Sequence, residues 1–162
     1  MTDSSTDLAR WLTDEGLELL PSNDAFLLID DGEARFRIDR TSDGWVVSKS
    51  LRGAPMVAQM SSSDWEDVDR YVVMLYLGTA RESRGLSRLR RLVELGPEGT
   101  AVPAEGWSLQ RGDDGGFVLT GPDGHRVWFD GDIAAAAFSR YAAYSADELR
   151  AQAALADAPL AR

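Results

Sequence analysis

Cysteine is absent from this chain of 162 residues, and histidine and lysine occur once each. The lack of cysteine excludes a disulfide framework and any thiolate metal site. The lone histidine, His125, follows Asp123-Gly124 in a predicted turn, where we expect it to be exposed and inert. One histidine in a turn gives no basis for a Ser/His/Asp or Cys/His arrangement. The composition therefore argues against the common forms of nucleophilic catalysis.

Long apolar runs are also absent. No segment approaches the roughly 20 apolar residues that a helix needs to cross a bilayer. The N-terminal stretch MTDSSTDLARW has no positive region followed by an apolar core, so it does not match a signal peptide. We therefore predict a cytoplasmic protein without a membrane partner. Arginine outnumbers lysine sixteen to one, and alanine and glycine are abundant, which is typical of a GC-rich genome such as that of an actinobacterium.

Basic residues are too few to balance the acidic ones, and the net charge is −10. Residues 1–78 carry 15 acidic and 7 basic side chains, residues 79–95 carry 2 and 5, and residues 96–162 carry 10 and 5. Two acidic bodies are thus joined by a short basic segment. This charge argues against nucleic-acid binding, which needs a basic face. It favours a basic protein partner, although solubility alone would also account for it.

The clearest element is a helix predicted within residues 61–78, SSSDWEDVDRYVVMLYLG. Ser63 can cap it, and Glu66 three residues later completes a capping box. Gly78 can take the left-handed conformation that ends a helix. One apolar stripe is formed at helical spacing by Trp65, Val68, Val72 and Leu75. Such a stripe must be buried, and the strand-like segments on either side of the helix can cover it.

Strand and turn signals occur twice around the basic segment. Residues 26–36 predict a hairpin through Asp30-Asp31-Gly32, and residues 117–129 predict another through Pro122-Asp123-Gly124. The further helices are predicted over 3–16, 132–144 and 146–155, the last capped by Ser145. We therefore predict an α+β fold of two related lobes, each a small antiparallel sheet with packed helices. The N-terminal lobe is 1–78, the basic linker is 79–95 and the C-terminal lobe is 96–162. Chance recurrence of hairpins is the alternative.

Motifs for metal or phosphate chemistry are missing. Asp30-Asp31 and Asp113-Asp114 are acidic pairs in turns and lack the ligand spacing of a calcium loop. The segment GDDGG at 112–116 is rich in glycine, but no lysine follows it and its two carboxylates would repel a phosphate. We predict no cofactor, no metal site and no catalytic residues, so the chain does not look like an enzyme.

Protein contacts remain as the main candidate for function. The glycine-rich hairpin tip is either a flexible turn or a loop that presents acidic groups to a partner. Two tryptophans, Trp45 and Trp107, either fill the core or anchor an interface, where tryptophan is enriched. The arginines of the basic segment are either solvated or bind acidic groups at the seam between lobes. Our candidate contact residues are Asp113, Asp114, Gly115, Gly116, Trp107, Arg88 and Arg91.

The order of these features along the whole chain resembles a known family. The chain begins with a capped helix, short strands and the helix after Trp65. It continues with the linker RESRGLSRLRRL, Gly106-Trp107-x-Leu109, a PDG hairpin and an Ala-rich helix. This order is similar to that of the actinobacterial immunity proteins of the tuberculosis-necrotizing-toxin antitoxin type. The resemblance implies a cytoplasmic protein that binds a secreted NAD⁺ glycohydrolase and blocks its NAD⁺ site. It supplies no contact residues, so the candidates above come from charge and loop position.

Two rival functions remain at this point. A secretion chaperone or a small regulatory binding module can have the same sheet-and-helix form, and a neighbouring toxin gene would separate these from an immunity protein. An enzyme is the third possibility, which a screen of activity on nucleotides would test. With the resemblance added, we expect a toxin-binding protein whose partner is the cognate toxin domain.

Overall fold

A computed structural model describes residues 3–23, 25–87 and 93–156. The described helices are α1 (Asp3–Asp14), α2 (Trp65–Ser83), α3 (Asp132–Tyr141) and α4 (Ala146–Gln152). The described strands are β1 (Glu18–Leu19), β2 (Leu27–Asp30), β3 (Ala34–Thr41), β4 (Gly44–Leu51), β5 (Val57–Ser62), β6 (Glu94–Leu95), β7 (Ala101–Val102), β8 (Ser108–Arg111), β9 (Phe117–Thr120) and β10 (Arg126–Phe129). No helix in these ranges is long and apolar enough to cross a membrane.

Eight of the strands form one antiparallel sheet in the order β1-β2-β3-β4-β5-β10-β9-β8, and β6 pairs with β7 beside it. The α+β class predicted from the sequence is confirmed. The sheets of the two predicted lobes are not separate, because β5 pairs with β10 through Ser61 opposite Trp128 and Met60 opposite Phe129. The two predicted hairpins do form, as β2–β3 and as β9–β10. Strands of both halves of the chain therefore share one sheet, and its two edge strands are β1 and β8.

The helices pack on one face of this sheet. Along β3, Ala34, Phe36 and Ile38 are buried while the residues between them are more exposed. These alternate positions join one apolar cluster with residues from all four helices. Helix α2 packs on β4 and β5, and α3 packs on β9 and β10. Because strand side chains alternate between faces, the other face carries half-exposed residues such as Val46 and Trp128. Among the described elements no helix lies on that second face.

Helix α2 is longer than the sequence predicts. Its N-cap is Asp64 rather than Ser63, since an Asp64 carboxylate oxygen accepts the N–H of Glu66 at 3.0 Å. The helix also continues through Gly78, where glycine costs only about 1 kcal/mol relative to alanine. The residues added after Gly78 include Ala80 and Arg81, which are both buried, and Arg81 bonds to a carbonyl oxygen of α4. These contacts outweigh that cost.

The end of α2 is set by Gly85. This glycine has φ +70°, and its N–H donates to the Glu82 carbonyl at 2.9 Å. The next N–H, of Leu86, donates to the Arg81 carbonyl at 3.0 Å. These two bonds form the Schellman arrangement that satisfies the last carbonyls of a helix. Residues 79–83 of the predicted basic linker are thus the last turn of α2.

Two buried charges join α2 to the C-terminal helix α4. Arg81 is fully buried and donates to the carbonyl oxygens of Gln152 at 2.6 Å and Leu155 at 2.5 Å. A cation is favourable there, because the C-terminal end of a helix carries partial negative charge. One turn from the start of α2, Asp69 pairs with Arg150 of α4. Burial raises the pKa of Asp69 to about 6, and the Arg150 guanidinium opposes that rise. Helix α4 itself begins at the predicted cap, Ser145, in a complete capping box with Glu148.

Trp45 is half-buried and packs against the edge of the core cluster. Its ring lies 4.8 Å from those of both Phe26 and Trp65, in edge-to-face contact. The core interpretation of this tryptophan, which the sequence left open, is the one that the structure supports.

Candidate partner-binding surface

The predicted hairpin tip connects β8 to β9. The Gly112 N–H donates to the Gly116 carbonyl at 2.8 Å, and the Gly115 N–H donates back to Gly112 at 3.2 Å. Gly115 has φ +87°, a conformation that glycine adopts without strain. These bonds shape a short five-residue turn whose outermost side chain, Asp113, is exposed.

The tip is anchored on the helix-free face of the sheet. One Asp114 carboxylate oxygen accepts the Gly116 N–H at 3.0 Å, and the other accepts the Trp128 indole N–H at 2.9 Å. A Cβ placed on Gly116 would lie 2.5 Å from the Trp128 ring, so only glycine fits beneath that ring. Asp114 and Gly116 therefore hold the tip in place. Both aspartates are exposed, and Asp114 is the one tied to Trp128.

Trp107 lies at the other end of β8. It is half-buried, packs against the core cluster and contacts the Gly121 backbone, where an added Cβ would lie 3.1 Å from its ring. The four residues of β8 separate it from the tip by about 15 Å, at roughly 3.3 Å a residue. Trp107 and the tip thus bracket one edge strand, although they do not touch.

A groove runs beside β8 on the side of the helices. Its volume is about 820 Å³, and the segment 96–103 forms its far wall. The apolar side chains that line it are Pro97, Val102, Pro103, Trp107, Leu109 and Phe117. Two acidic residues line it: Glu98 is exposed, and Asp132 accepts the Ala101 N–H at 3.0 Å. Glu105, which precedes β8, is exposed outside the groove. Arg88 and Arg91, the remaining two predicted contact residues, lie outside the described residues.

His125 is half-buried and bonded rather than exposed in its turn, so that part of the sequence interpretation is wrong. Its Nε2 lies 2.5 Å from a carboxylate oxygen of Asp67, which is buried in the first turn of α2 and 58 residues away in the chain. The hydrogen bond to Asp67 raises the pKa of His125, and the charges of Asp67, Asp123 and Asp64 act in the same direction. Nothing near His125 in the sequence signals this contact, because it depends on how β10 is placed beside α2.

This cluster is not arranged for nucleophilic catalysis. The hydroxyl of Ser62 donates to Asp67 at 2.6 Å rather than to His125, and Ser62 is buried. The other oxygen of Asp67 accepts from Arg70 at 3.1 Å. Both oxygens of Asp67 thus accept hydrogen bonds, and among the residues that the structure describes no hydroxyl bonds to the histidine as a nucleophile would. Within the described ranges, no group of three His, Cys, Asp or Glu side chains could hold a metal ion.

The geometry favours a small α+β binding protein, with an anchored acidic tip, an open edge strand and a polar cluster whose bonds are satisfied internally. Comparison with known proteins agrees with that class. Residues 11–157 match the model of the family Immunity protein 61, and the chain belongs to that family. An immunity-protein family points to an inhibitory rather than a catalytic role.

A solved structure, Rv3902c from M. tuberculosis, is similar to this fold with a TM-score of 0.76. The sequences are 20% identical over 96% of this chain and 91% of that one, so the likeness concerns the fold alone. No curated protein is similar enough to this chain to match it.

Proposed function

We propose that this protein is an immunity protein that binds a secreted NAD⁺ glycohydrolase toxin in the cytoplasm and inhibits it by covering its substrate site. The observation that carries the immunity role is membership of the Immunity protein 61 family over residues 11–157. The type of toxin rests on the resemblance of the motif order to immunity proteins of the tuberculosis-necrotizing-toxin antitoxin type. The net charge of −10 suits a basic toxin surface.

To inhibit the toxin in this way, the protein has to cover the toxin's substrate site, and it needs no catalytic residues of its own. A standard interface of roughly 1,600 Å² is wide enough to close a substrate cleft, and a few anchors supply most of its binding energy. We place those anchors at the hairpin tip and at Trp107. Asp113 offers the exposed charge, Asp114 and Gly116 fix the turn, and Trp107 offers apolar area at the far end of β8. Arg88 and Arg91 stay candidate contact residues on the sequence argument alone.

The test is hydrolysis of NAD⁺ by the purified catalytic domain of the cognate toxin, titrated with the purified protein. We expect complete inhibition at a one-to-one ratio. Absence of inhibition at that ratio would overturn the proposed function.

The contribution of the tip is tested with Asp113→Lys, which reverses an exposed charge and leaves the Asp114–Trp128 bond in place. We expect its Kd to rise at least about tenfold, because a like charge facing a basic partner costs several kcal/mol. Asp14→Lys is the matched control: it makes the same charge change on an exposed residue of α1, which packs at the β1 edge of the sheet. Equal loss of affinity in both variants would remove the tip from the interface and leave the inhibitory role standing.

A further inference from the structure

Strand β8 is the last strand of the main sheet, and its outer edge pairs with no other strand among the described residues. In an antiparallel pair, the backbone groups of successive residues point alternately toward and away from the partner strand. The Gly112–Gly116 bond places Gln110 and Ser108 in the hydrogen-bonded pairs with β9. The N–H and C=O groups of Leu109 and Arg111 therefore point outward, at the open edge.

The groove lies directly against this open edge. Leu109 faces the groove together with Trp107, and Val102 on the opposite wall is 38% exposed. Nearby on β6, Leu95 is 62% exposed. An added strand would place alternate side chains on the groove side, where an apolar residue would be covered by these groups. An edge with outward backbone bonds beside an apolar groove fits an extended polypeptide segment.

Charge defines the segment further. Acidic residues stand at both ends of β8, with Glu105 before it and Asp113 beyond it, and Glu98 stands on the far wall; all three are exposed. The cation on the strand itself is Arg111. A second copy of this chain would bring the same acidic ends and a further net charge of −10 against the edge, and such like charges repel. A basic segment of another protein is favoured.

We infer that the toxin binds by adding an extended segment to the open edge of β8, with an apolar side chain in the groove and basic residues near Glu105 and Asp113. The segment becomes the ninth strand of the sheet, and its backbone bonds to Leu109 and Arg111. This inference rests on the proposed function, and it names the surface through which that function acts.

Amide hydrogen exchange, measured by NMR on the full chain alone and with the cognate toxin domain, tests the backbone pairing directly. The amides of Leu109 and Arg111 exchange rapidly in the free protein, and we expect their exchange to slow at least about tenfold in the complex. The inward amides of Ser108 and Gln110 are the internal reference, because β9 protects them in both states. Unchanged exchange at Leu109 and Arg111 in a complex that still inhibits the toxin would overturn the inference and leave the proposed function standing.

A pair of variants at one position gives an independent measurement. Arg111→Pro removes the outward N–H without breaking a bond to β9, as proline can do on an edge strand. We expect it to raise the Kd at least about tenfold, since a bond is lost and the ring blocks the approach of a strand. Arg111→Ala removes the same side chain but keeps the N–H, so it is the reference from which the effect of the proline is measured. Circular dichroism checks that both variants fold, and equal Kd values for both would contradict the inference.

If the β8 edge instead pairs with a second copy of this chain, the measurements will differ. Protection of Leu109 and Arg111 in the free protein, together with a dimer in analytical ultracentrifugation, would assign the edge to a second copy and overturn the inference. If the toxin domain neither binds nor is inhibited, the proposed function and this inference both fail.

Discussion

Gly116 lies beneath the indole of Trp128, and its missing side chain decides how the hairpin tip sits on the sheet. Gly116→Ala would place a Cβ 2.5 Å from a rigid ring. We expect a loss of about 1–3 kcal/mol in the free energy of unfolding, because the ring or the turn must move. Urea denaturation measures it. Gly96→Ala is the control, since its Cβ meets neighbours at ordinary distances of 3.5 and 3.6 Å. A Gly116→Ala loss no larger than that of the control would show that the tip is not anchored here.

His125 makes the stability of the protein depend on pH. Its folded-state pKa is raised, chiefly by the hydrogen bond to Asp67, above the usual value of about 6.5. The stabilisation is fully present below that value and is lost as the pH rises through the folded pKa. We therefore expect the Tm difference between wild type and His125→Gln to be larger near pH 6 than near pH 9. Thermal melts followed by circular dichroism at a series of pH values measure this.

The comparison with His125→Gln separates His125 from a second titration. Burial raises the pKa of Asp69 to about 6, so Asp69 also titrates at the lower end of this range. That titration is common to wild type and His125→Gln, so it cancels in the Tm difference between them. Asp67→Asn removes the charge that faces His125 and should flatten the pH dependence in the same way as His125→Gln. A constant Tm difference between wild type and His125→Gln across this range would contradict the proposed stabilisation.

Helix α2 is the central element, and Val72 in its middle is fully buried. Val72→Asp would bury an unpaired charge, which costs several kcal/mol against a typical total stability of about 5–15 kcal/mol. We expect the variant to be unfolded or to melt far below wild type. Thr79→Asp places the same side chain on the exposed side of the same helix and should change the Tm by only a few degrees. Similar melting of Val72→Asp and wild type would show that α2 is not central to the core.

Elements whose signals are local could be predicted from the sequence. Helix α4 begins at its capping box, the two hairpins form at their Asp-Gly turns, and the apolar stripe of α2 is buried. The end of α2 could not be placed, because Gly78 and Gly85 carry the same local signal. Only the burial of Ala80 and Arg81 against the rest of the protein decides between them.

The candidate site was predictable only in its local parts. The turn at 112–116 and the Trp107 position follow from sequence, whereas the Asp114–Trp128 bond and the Asp67–His125 bond join segments that lie far apart in the chain. The edge position of β8 depends on the pairing of β5 with β10, which merges strands of both halves into one sheet. The sequence of one hairpin does not show which of its two strands will lie at the edge of the sheet.

At the scale of the whole molecule, the net charge is −10, and exposed carboxylates lie around the proposed binding surface on β8. If the toxin is basic, this field speeds the encounter from a distance, while the bound complex is held by close contacts. Salt screens interactions between exposed charges beyond about 10 Å at 0.1 M ionic strength. We therefore expect the association rate to fall steeply as salt rises, and the dissociation rate to change much less. Stopped-flow mixing with the toxin domain at several ionic strengths measures both.

Asp14→Lys and Asp113→Lys separate the long-range electrostatic attraction of the whole protein from direct contact at the β8 edge. Asp14→Lys and Asp113→Lys change the net charge equally, so both should slow association and weaken its salt dependence by steering alone. Only Asp113 lies beside the β8 edge, so only Asp113→Lys should also speed dissociation. An association rate that does not respond to salt would mean that the acidity of this protein serves solubility and not capture of its partner.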